Sequence, residues 1–396
     1  MGTDYFKELP NNWEIKKFGD VAKITCGVAA TPEYVDASIG IPFFSARNVQ
    51  NGRLDLNYFQ YISVELHKKL TKNTKPERGD ILLTRVGAGI GEAAIVNIDF
   101  EFSVYVSLTL IKCSKKIESE FIKLLLNTNY YRYLATRDQF AGGGVQNLNV
   151  QMVKDYPIPV PPLFEQKKIA QILSTWDQAI LATEKLLENS QQQKKALMQQ
   201  LLTGKKRLLD ENGVKFSDEW QRIELGLLLD YQQPTPYLVE STAYSDSYET
   251  PVLTAGKTFI LGYTNESSGI YQDQLPVIIF DDFTTDSKYV NFPFKAKSSA
   301  MKILTAKKGV SIKFVFEAMQ MLQFTVGGHQ RHWISIFSNL VIPLPNIKEQ
   351  QQIAEVLSLA DQEIETLQKK LDCLKQEKKA LMQQLLTGKK RVKVAA

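Results

Sequence analysis

The chain has 396 residues, too many for one ordinary hydrophobic core, so its length predicts two domains. Its hydrophobic content of 44% and charged content of 23% are typical of a globular protein, and its apolar runs are too short to span a membrane. The net charge of +5 permits a polyanionic partner without requiring one. Since the N-terminus lacks the basic-then-apolar pattern of a signal peptide, we expect a cytoplasmic location.

The N-terminal segment, 1–160, has the pattern of a mixed strand and loop domain. The stretch GDILLTRVGAGIGEAAIVNI, at Gly79–Ile98, alternates a buried-looking strand, a glycine turn and another strand. The GAGIG sequence within it does not match the G-x-G-x-x-G dinucleotide fingerprint, and a tight turn is the better interpretation. The three cysteines, Cys26, Cys113 and Cys373, lie far apart and indicate neither a disulfide framework nor a zinc site.

A long helix is predicted over residues 161–207. Apolar positions recur there in steps of four and three residues, the a/d seam of a coiled coil, with Lys194 also on the seam. The seam residues of this helix are Ile169, Leu173, Trp176, Ile180, Leu187, Leu197 and Leu201. Gly204 stands where such a helix would stop.

The following segment, residues 208–344, again has a strand and loop pattern. Leu275–Val290, LPVIIFDDFTTDSKYV, reads as a buried strand followed by a polar loop. Asp281 and Asp282 in this loop are candidates for a nuclease metal pair, although turn formation or a base contact fits them better. Of the histidines His67, His329 and His332, only the last two lie close together, and a zinc site would need two further ligands.

A second long helix is predicted within residues 345–396, ahead of a short basic tail. Asn346 and Glu349 form a capping-box pattern at its start, Gly388 stands at its end, and Lys378 occupies a seam position. The other seam residues are Ile353, Leu357, Ile364, Leu367, Leu371, Leu374, Leu381 and Leu385.

The two halves of the chain are an internal repeat with unlike interiors. Glu165–Arg207 and Glu349–Arg391 align without a gap and share 26 of 43 positions, ending in the identical stretch KKALMQQLLTGKKR. The half starts, Trp13–Gly19 and Trp220–Gly226, also match, but they stand further apart along the chain than the helix repeats do, so the first interior is the longer one. The segment between the helices joins the end of the first to the start of the second. If they pack together, they therefore run antiparallel.

Several stretches of the sequence resemble those of a known protein family. They are WEIKKFG at Trp13–Gly19, GDILLTRVG at Gly79–Gly87, NLNVQMVKDYPIPVPPLFEQKKIAQIL at Asn147–Leu173, TPVLTAGKTFILGYT at Thr250–Thr264, and IPLPNIKEQQQIAEVL at Ile342–Leu357. The resemblance that they carry extends over nearly the full chain, whose layout resembles the DNA-specificity subunit of Type I restriction–modification systems. The Pro-x-Pro entry followed by Glu-Gln, present twice, is a quite specific part of the resemblance.

The resemblance implies an α+β fold with two mixed α/β target-recognition domains, residues 1–160 and 208–344. These are separated by two spacer helices that pack as an antiparallel coiled coil with a pseudo-two-fold repeat. Each domain would read one half of a split double-stranded DNA site. Two methyltransferase subunits carrying S-adenosylmethionine would dock on the helices, and restriction subunits could join. The chain itself would bind no cofactor and catalyse nothing; it also contains no Walker A or Asn-Pro-Pro-aromatic motif.

Candidate DNA contacts are polar loop residues whose chemistry suits bases or phosphates. In the first half they are Arg47, Asn48, Arg53, Thr84, Arg85, Gln146 and Asn147, and in the second half they are Lys257, Thr258, Asp281, Thr284, Lys288, Gln330, Arg331 and His332. Two other classes of protein stay open from the residues alone. One is a coiled-coil scaffold joining two domains that bind ligands other than DNA, and the other is a stand-alone nuclease.

Overall fold

The computed structural model describes residues 6, 9–27, 32–72, 74–137, 147–254, 258–322 and 332–393. The chain divides into two compact units, the first comprising Met1–Thr183 with Lys370–Ala396 and the second comprising Glu184–Lys369. Each unit thus holds one globular segment and a part of both long helices. No helix within the described residues is long and apolar enough to cross a membrane.

The first unit is a mixed α/β domain. Its strands are β1 (Glu14–Lys17), β2 (Ala22–Cys26), β3 (Ile41–Phe44), β4 (Val49–Gln50), β5 (Arg53–Leu54), β6 (Gln60–Ile62), β7 (Ile81–Thr84), β8 (Ala93–Ile95), β9 (Ser103–Val104), β10 (Leu108–Cys113) and β11 (Pro157–Val160). Its shorter helices are α1 (Phe18–Val21), α2 (Val64–Thr71), α3 (Ser119–Leu126), α4 (Asn129–Arg137) and α5 (Val150–Lys154), with a 3₁₀ turn at Ala46–Asn48. The strands form sheets in the orders β2-β10-β7-β8, β6-β3-β9, β1-β11 and β4-β5.

The second unit repeats this plan. The first long helix, α6 (Leu163–Leu201), leads to β12 (Gln221–Glu224), α7 (Leu225–Leu228), β13 (Leu229–Gln232), β14 (Thr250–Leu253), β15 (Ile260–Thr264), β16 (Val277–Asp281), β17 (Ser287–Val290), β18 (Lys295–Ala296), β19 (Met301–Ala306), α8 (Ile312–Gln320), α9 (His332–Ser335), β20 (Val341–Leu344) and the second long helix, α10 (Ile347–Leu385). Short 3₁₀ turns lie at Thr235–Tyr237 and Phe337–Asn339. The sheet orders are β13-β19-β16-β17, β15-β14-β18 and β12-β20, so each sheet has a counterpart in the first unit.

In each unit the four-stranded sheet separates two hydrophobic cores. Successive side chains of a strand point to opposite faces. Accordingly, Ile81 and Leu83 of β7 lie in a core shared with the long helices, while Leu82 lies in a core shared with the three-stranded sheet. Strand β16 divides in the same way between Ile278 and Ile279. This explains why both strands read as continuous apolar runs.

The stretches that are repeated in the sequence pair with each other in space. Strand β1 runs antiparallel to β11, with Ile15 opposite Pro159, and β12 runs antiparallel to β20, with Arg222 opposite Pro343. The proline-containing strands are thereby confined to two-stranded sheets, where missing amide donors are tolerated. We call these two strand pairs, together with α6 and α10, the repeated frame.

The long helices pack antiparallel, which confirms the predicted fold class. In the first unit, Ile169 and Leu173 at the start of α6 share a core with Leu385 at the end of α10. In the second unit, Ile353 at the start of α10 shares a core with Leu201 at the end of α6. Every seam residue named above is buried or half-buried.

The two seam lysines each pair with a carboxylate of the facing helix. Lys378 Nζ lies 2.7 Å from Asp177 Oδ1 in the first unit, and Lys194 Nζ lies 2.6 Å from Asp361 Oδ1 in the second. Burial opposes ionisation of Asp361, but the hydrogen bonds from Lys194 and Lys313 outweigh it and lower the pKa of this carboxyl. Asp177 and Asp361 are themselves equivalent positions of the internal repeat, so the ion pair is repeated with the helix.

A buried carboxylate at the start of each long helix is held by an arginine that follows the other helix and by a tryptophan that precedes the first strand of the same unit. Glu349 is fully buried, and Arg207 donates to it through Nε at 2.6 Å and Nη2 at 2.7 Å, while Trp220 Nε1 donates at 3.1 Å. In the first unit, Glu165 receives the same three bonds from Arg391 and Trp13. We call each such trio a carboxylate clamp.

The clamp also corrects a detail of the predicted capping box. Asn346 Oδ1 accepts the Glu349 amide at 3.0 Å, as the pattern predicts. In a full capping box the Glu349 side chain would also accept the backbone amide of Asn346. Here its carboxylate instead accepts hydrogen bonds from Arg207 and Trp220. Beyond each helix the chain turns at Gly204, with φ +71, and Gly388, with φ +73, a region that glycine enters without strain.

We expect Glu349→Gln to lower the free energy of unfolding of the second unit by about 3–5 kcal/mol, because it leaves Arg207 without its counter-charge. Hydrogen exchange at the amides of α10 in the full chain measures this. Lys348→Gln is the matched control. Its side chain is 76% exposed, so we expect a change within about 0.5 kcal/mol. Equal effects of the two substitutions would refute the stabilising role of the clamp.

Candidate nucleic-acid interface

The predicted contacts Arg47 and Asn48 belong to the 3₁₀ turn after β3. Asn48 is buried, accepts the Ser45 amide at 2.9 Å, and donates to the carbonyls of Asp55 and Tyr58 at 2.9 and 2.8 Å. Its amide group is therefore committed to shaping the loop. Arg47, its neighbour, is exposed. The loop thus presents the guanidinium and uses the amide as internal support.

Arg53 faces helix α6 within the first unit. Its Nη2 lies 3.5 Å from the Asp177 carbonyl oxygen and 4.0 Å from the Asp177 carboxylate, which also binds Lys378. These residues border a polar cavity of about 650 Å³. The position of Arg53 is thus beside the seam ion pair, and it shares that carboxylate with Lys378.

Thr84 ends the central strand β7, Arg85 follows it, and both are buried. Arg85 Nε donates to the Leu148 carbonyl at 3.0 Å, and the Leu148 amide donates back to the Arg85 carbonyl at 2.8 Å. Asn147, directly before Leu148, is exposed and forms an isolated β-bridge with Val86. We therefore assign Arg85 to holding this segment in place, while Asn147 is the side chain that it presents.

The glycine turn after β7 is a tight hairpin to β8, as predicted. Gly87 has φ +99 and Gly91 has φ +79. A Cβ added at Gly91 would lie 2.6 Å from the Ala135 side chain, so both conformation and space require glycine there. The turn has no features of a nucleotide-binding loop beyond its glycines.

Asp281 and Asp282 occupy the equivalent end of β16 and are also buried. The Asp281 carboxylate accepts the Phe283 amide at 2.9 Å and the Thr284 hydroxyl at 2.6 Å, which is an Asx turn. Asp282 accepts the Trp333 amide at 2.9 Å and lies 3.4 Å from Lys302 Nζ. An ammonium in that place competes with a metal cation. The pair consequently does not fit the nuclease role considered from the sequence.

Among the described residues, no group of three or more histidine, cysteine, aspartate or glutamate side chains is arranged to hold a metal ion. The remaining described candidates, Thr258, Thr284 and Lys288, are exposed, and Lys288 lies 3.5 Å from Asp286. Gln146, Lys257, Gln330, Arg331 and the side chain of His332 lie outside the described residues.

Sequence reasoning missed a group of aromatic side chains around Arg47. Tyr34, Tyr58 and Tyr105 come from three separate segments and converge beside the turn on the three-stranded sheet. The only local signal was the aromatic run NYFQY at Asn57–Tyr61. The convergence itself depends on strand pairing, because the Val35 amide donates to the Tyr61 carbonyl at 3.0 Å.

Comparison with known proteins agrees with this geometry. The family model described as "Type I restriction modification DNA specificity domain" matches residues 10–190 and 217–376. The chain belongs to this family, that of the non-catalytic, DNA-sequence-recognising subunits of Type I restriction–modification enzymes. The two matched ranges correspond to the two halves of the internal repeat.

Individual relatives match either a part or nearly all of the chain. The specificity subunit of the Escherichia coli Type I restriction enzymes EcoR124I and EcoR124II is 54% identical over 132 residues, which cover 32% of each chain. A putative specificity subunit of the enzyme MjaX from Methanocaldococcus jannaschii is 26% identical over 422 aligned positions, covering 98% of this chain and 95% of the relative. The crystal structure of a Type I S subunit from M. genitalium shares the fold, with a TM-score of 0.65 at 16% identity over 96% of this chain and 97% of that one.

We expect Arg85→Met to lower the thermal stability of the chain, by about 1–3 kcal/mol, because it removes a buried hydrogen bond to the Leu148 carbonyl. Arg47→Met, at an exposed position, should change stability by no more than about 0.5 kcal/mol. Thermal unfolding of the two purified full-length variants distinguishes them. A larger loss at Arg47 than at Arg85 would contradict the division into supporting and presented residues.

Proposed function

We propose that each unit reads one half of a bipartite duplex DNA target, residues 1–160 serving as target-recognition domain 1 and residues 208–344 as domain 2. The observation that carries the proposal is a repeated frame with unlike interiors. The carboxylate clamps and the seam ion pairs recur at equivalent positions of the internal repeat. Between them, the interior segments differ in sequence and length.

The two interiors have different residues even at positions with the same structural role. Arg85 in the first unit and Asp282 in the second both follow the central strand and both hold the segment that comes after α4 or α8, at Leu148 and Trp333. Their charges are opposite. Equivalent positions of the two interiors therefore hold unlike residues even where their structural role is the same, and we expect the exposed residues, and with them the two half-sites, to differ as well.

The helices are proposed to set the separation of the half-sites. Each has 39 residues, which corresponds to about 58 Å of α-helix. Recognition domains whose centres lie about one DNA turn apart, each covering 3–4 base pairs, would leave an unread gap of roughly 6 base pairs. The seam residues fix the register of the two helices and so keep this separation constant.

The frame is proposed to dock two adenine methyltransferase subunits, one on each equivalent surface. Buried identities in the repeat are explained by packing, but exposed ones are not. Lys195 and Gln199 on α6, and their equivalents Lys379 and Gln383 on α10, are identical and exposed. Identical exposed faces fit identical partners. In this proposal S-adenosylmethionine is bound by those partners, and restriction subunits could join the complex; the relatives are named as specificity subunits of restriction enzymes.

Co-expression of the chain with its methyltransferase subunit is expected to place methyl groups on adenines of a two-part genomic motif with a fixed gap. The motif should disappear when the chain is omitted, because specificity resides in the chain. Mapping methylated adenines across the host genome measures both half-sites at once.

A soluble complex without new methylation would refute the proposed partnership. Binding of the chain to duplex DNA, measured over a range of salt concentrations, then separates DNA recognition from scaffolding. A DNA-binding protein loses affinity steeply with salt, whereas a scaffold for other ligands shows no such dependence.

Insertion of one heptad into both helices, after Thr183 and after Lys369 where the two units divide, should widen the gap of the methylated motif by about 3 base pairs. Seven residues preserve the seam and add about 10 Å, and DNA rises about 3.4 Å per base pair. Methylome mapping of the double-insertion variant measures the gap. The control is an insertion in α6 alone, which mismatches the seam and should reduce assembly. An unchanged gap in the double-insertion variant would exclude the spacing role.

A further inference from the structure

A small pocket opens beside Arg47 on the three-stranded sheet of the first unit. Its volume is about 260 Å³, at the lower limit of ligand pockets and suited to a single planar group. Its lining is mainly aromatic, with Arg47 at one side, and the rings come from Tyr34, Phe43, Tyr58, Phe59 and Tyr105. The pocket is thus an aromatic environment with one cationic edge.

Two of these rings are left open to solvent. Tyr58 is 62% exposed and Tyr34 is 44% exposed. A single exposed aromatic residue needs no explanation, but two that face one concave pocket mark an interaction site. Phe43 and Tyr105, which also line the pocket, meet edge to face with centroids 5.8 Å apart.

Hydrogen bonds from the side chains of Asn48 and Gln60 hold the walls of the pocket in position. Buried Asn48 binds the Ser45 amide and the Tyr58 carbonyl. Gln60 Nε2 donates to the Tyr58 hydroxyl at 2.6 Å, which orients the ring and leaves the hydroxyl hydrogen free to donate. The pocket is therefore preformed, and binding needs little ordering of its walls.

The equivalent place in the second unit has the same tyrosine and a different partner. The amides of Val35 and Ser245 bond to the carbonyls of Tyr61 and Tyr263, so Tyr34 and the residue before Ser245, Tyr244, correspond. By the same pairing logic, the amides of Tyr105 and Lys297 bond to equivalent carbonyls of β3 and β14, at 2.7 and 2.8 Å.

The second unit has Lys297 at the position that Tyr105 occupies in the first unit, and this difference changes which ligands could bind there. Lys297 Nζ lies 5.8 Å from the centroid of the Tyr244 ring, so a cation stands over that ring. In the first unit the corresponding space is bordered by aromatic rings. A position that is kept between the halves while its side chains change has the character of a specificity determinant.

We propose that this pocket takes one nucleobase of the first half-site, unstacked from the duplex and placed against the tyrosine rings with its edge toward Arg47. The proposal rests on the DNA-reading role proposed above and deepens it. Every base has a π face, so stacking on tyrosine offsets the loss of stacking in the duplex. Arg47 offers only donors, so it favours an edge with two acceptors, as in guanine.

The test is a scan with 2-aminopurine, a base whose fluorescence reports unstacking. It is placed singly at each position of both strands of the first half-site, in duplexes bound by the complex of the full chain with its methyltransferase subunit. We expect a change of emission at one position other than the methylated adenine. Tyr58→Ala and Tyr34→Ala should abolish that change and weaken binding about tenfold or more.

Matched variants keep the interpretation specific. Tyr58→Phe retains the ring and should retain the signal. Tyr231→Ala removes a tyrosine of similar exposure, 42%, from β13 of the second unit and should leave the signal and affinity unchanged. Arg47→Ala should relax discrimination at the one base pair that gives the signal and leave the other positions of the motif as they are.

The proposal is overturned if emission changes only at the methylated adenine, or if Tyr58→Ala binds as tightly as Tyr58→Phe, while the complex still methylates its split motif. That result would leave the DNA-reading role intact. If the unmodified complex neither binds nor methylates a split motif, the proposed function itself fails, and the pocket proposal fails with it.

Discussion

The repeated frame depends on a carboxylate that is buried at the start of each long helix. An ionised Glu165 or Glu349 in such a place is tolerated only with a geometrically matched counter-charge, and the bidentate guanidinium of Arg391 or Arg207 supplies it. That arginine closes the identical stretch KKALMQQLLTGKKR of the repeat. The stretch therefore occurs twice because each helix start requires the end of the other helix.

The clamps link the start of each long helix to the end of the other, and the seam ion pairs fix the register in which the two helices pack. A lysine within an apolar seam is best placed opposite its aspartate on the facing helix, and a slip of one helix along the other would break that pair. Lys378 with Asp177 and Lys194 with Asp361 lie in different units. Each unit thus carries its own clamp and its own register pair.

The frame could be predicted from the sequence, while the reading surface could be predicted only in part. Helix periodicity and caps are local signals, and the internal repeat is found by comparing the sequence with itself. The helices α6 and α10 and their antiparallel direction could therefore be predicted from them. Burial of a polar side chain is a tertiary property. Asn48 and Arg85 have the residue types of base contacts, yet strand pairing places both inside, where they support loops. Tyr34 and Tyr58 escaped notice because the same pairing brings them together.

Residue type alone is consequently a poor guide to which bases such a domain reads. At equivalent strand ends, a cation in Arg85 and an anion in Asp282 both serve to hold the neighbouring segment, and the charge of neither faces outward. In the proposed role, discrimination falls to side chains that the frame leaves exposed. Because the clamps do not involve exposed loop residues such as Arg47, substitutions at those residues need not disturb the stability of the unit. Separation of the clamp residues from the exposed loops is what would allow one frame to carry the two unlike recognition surfaces proposed above.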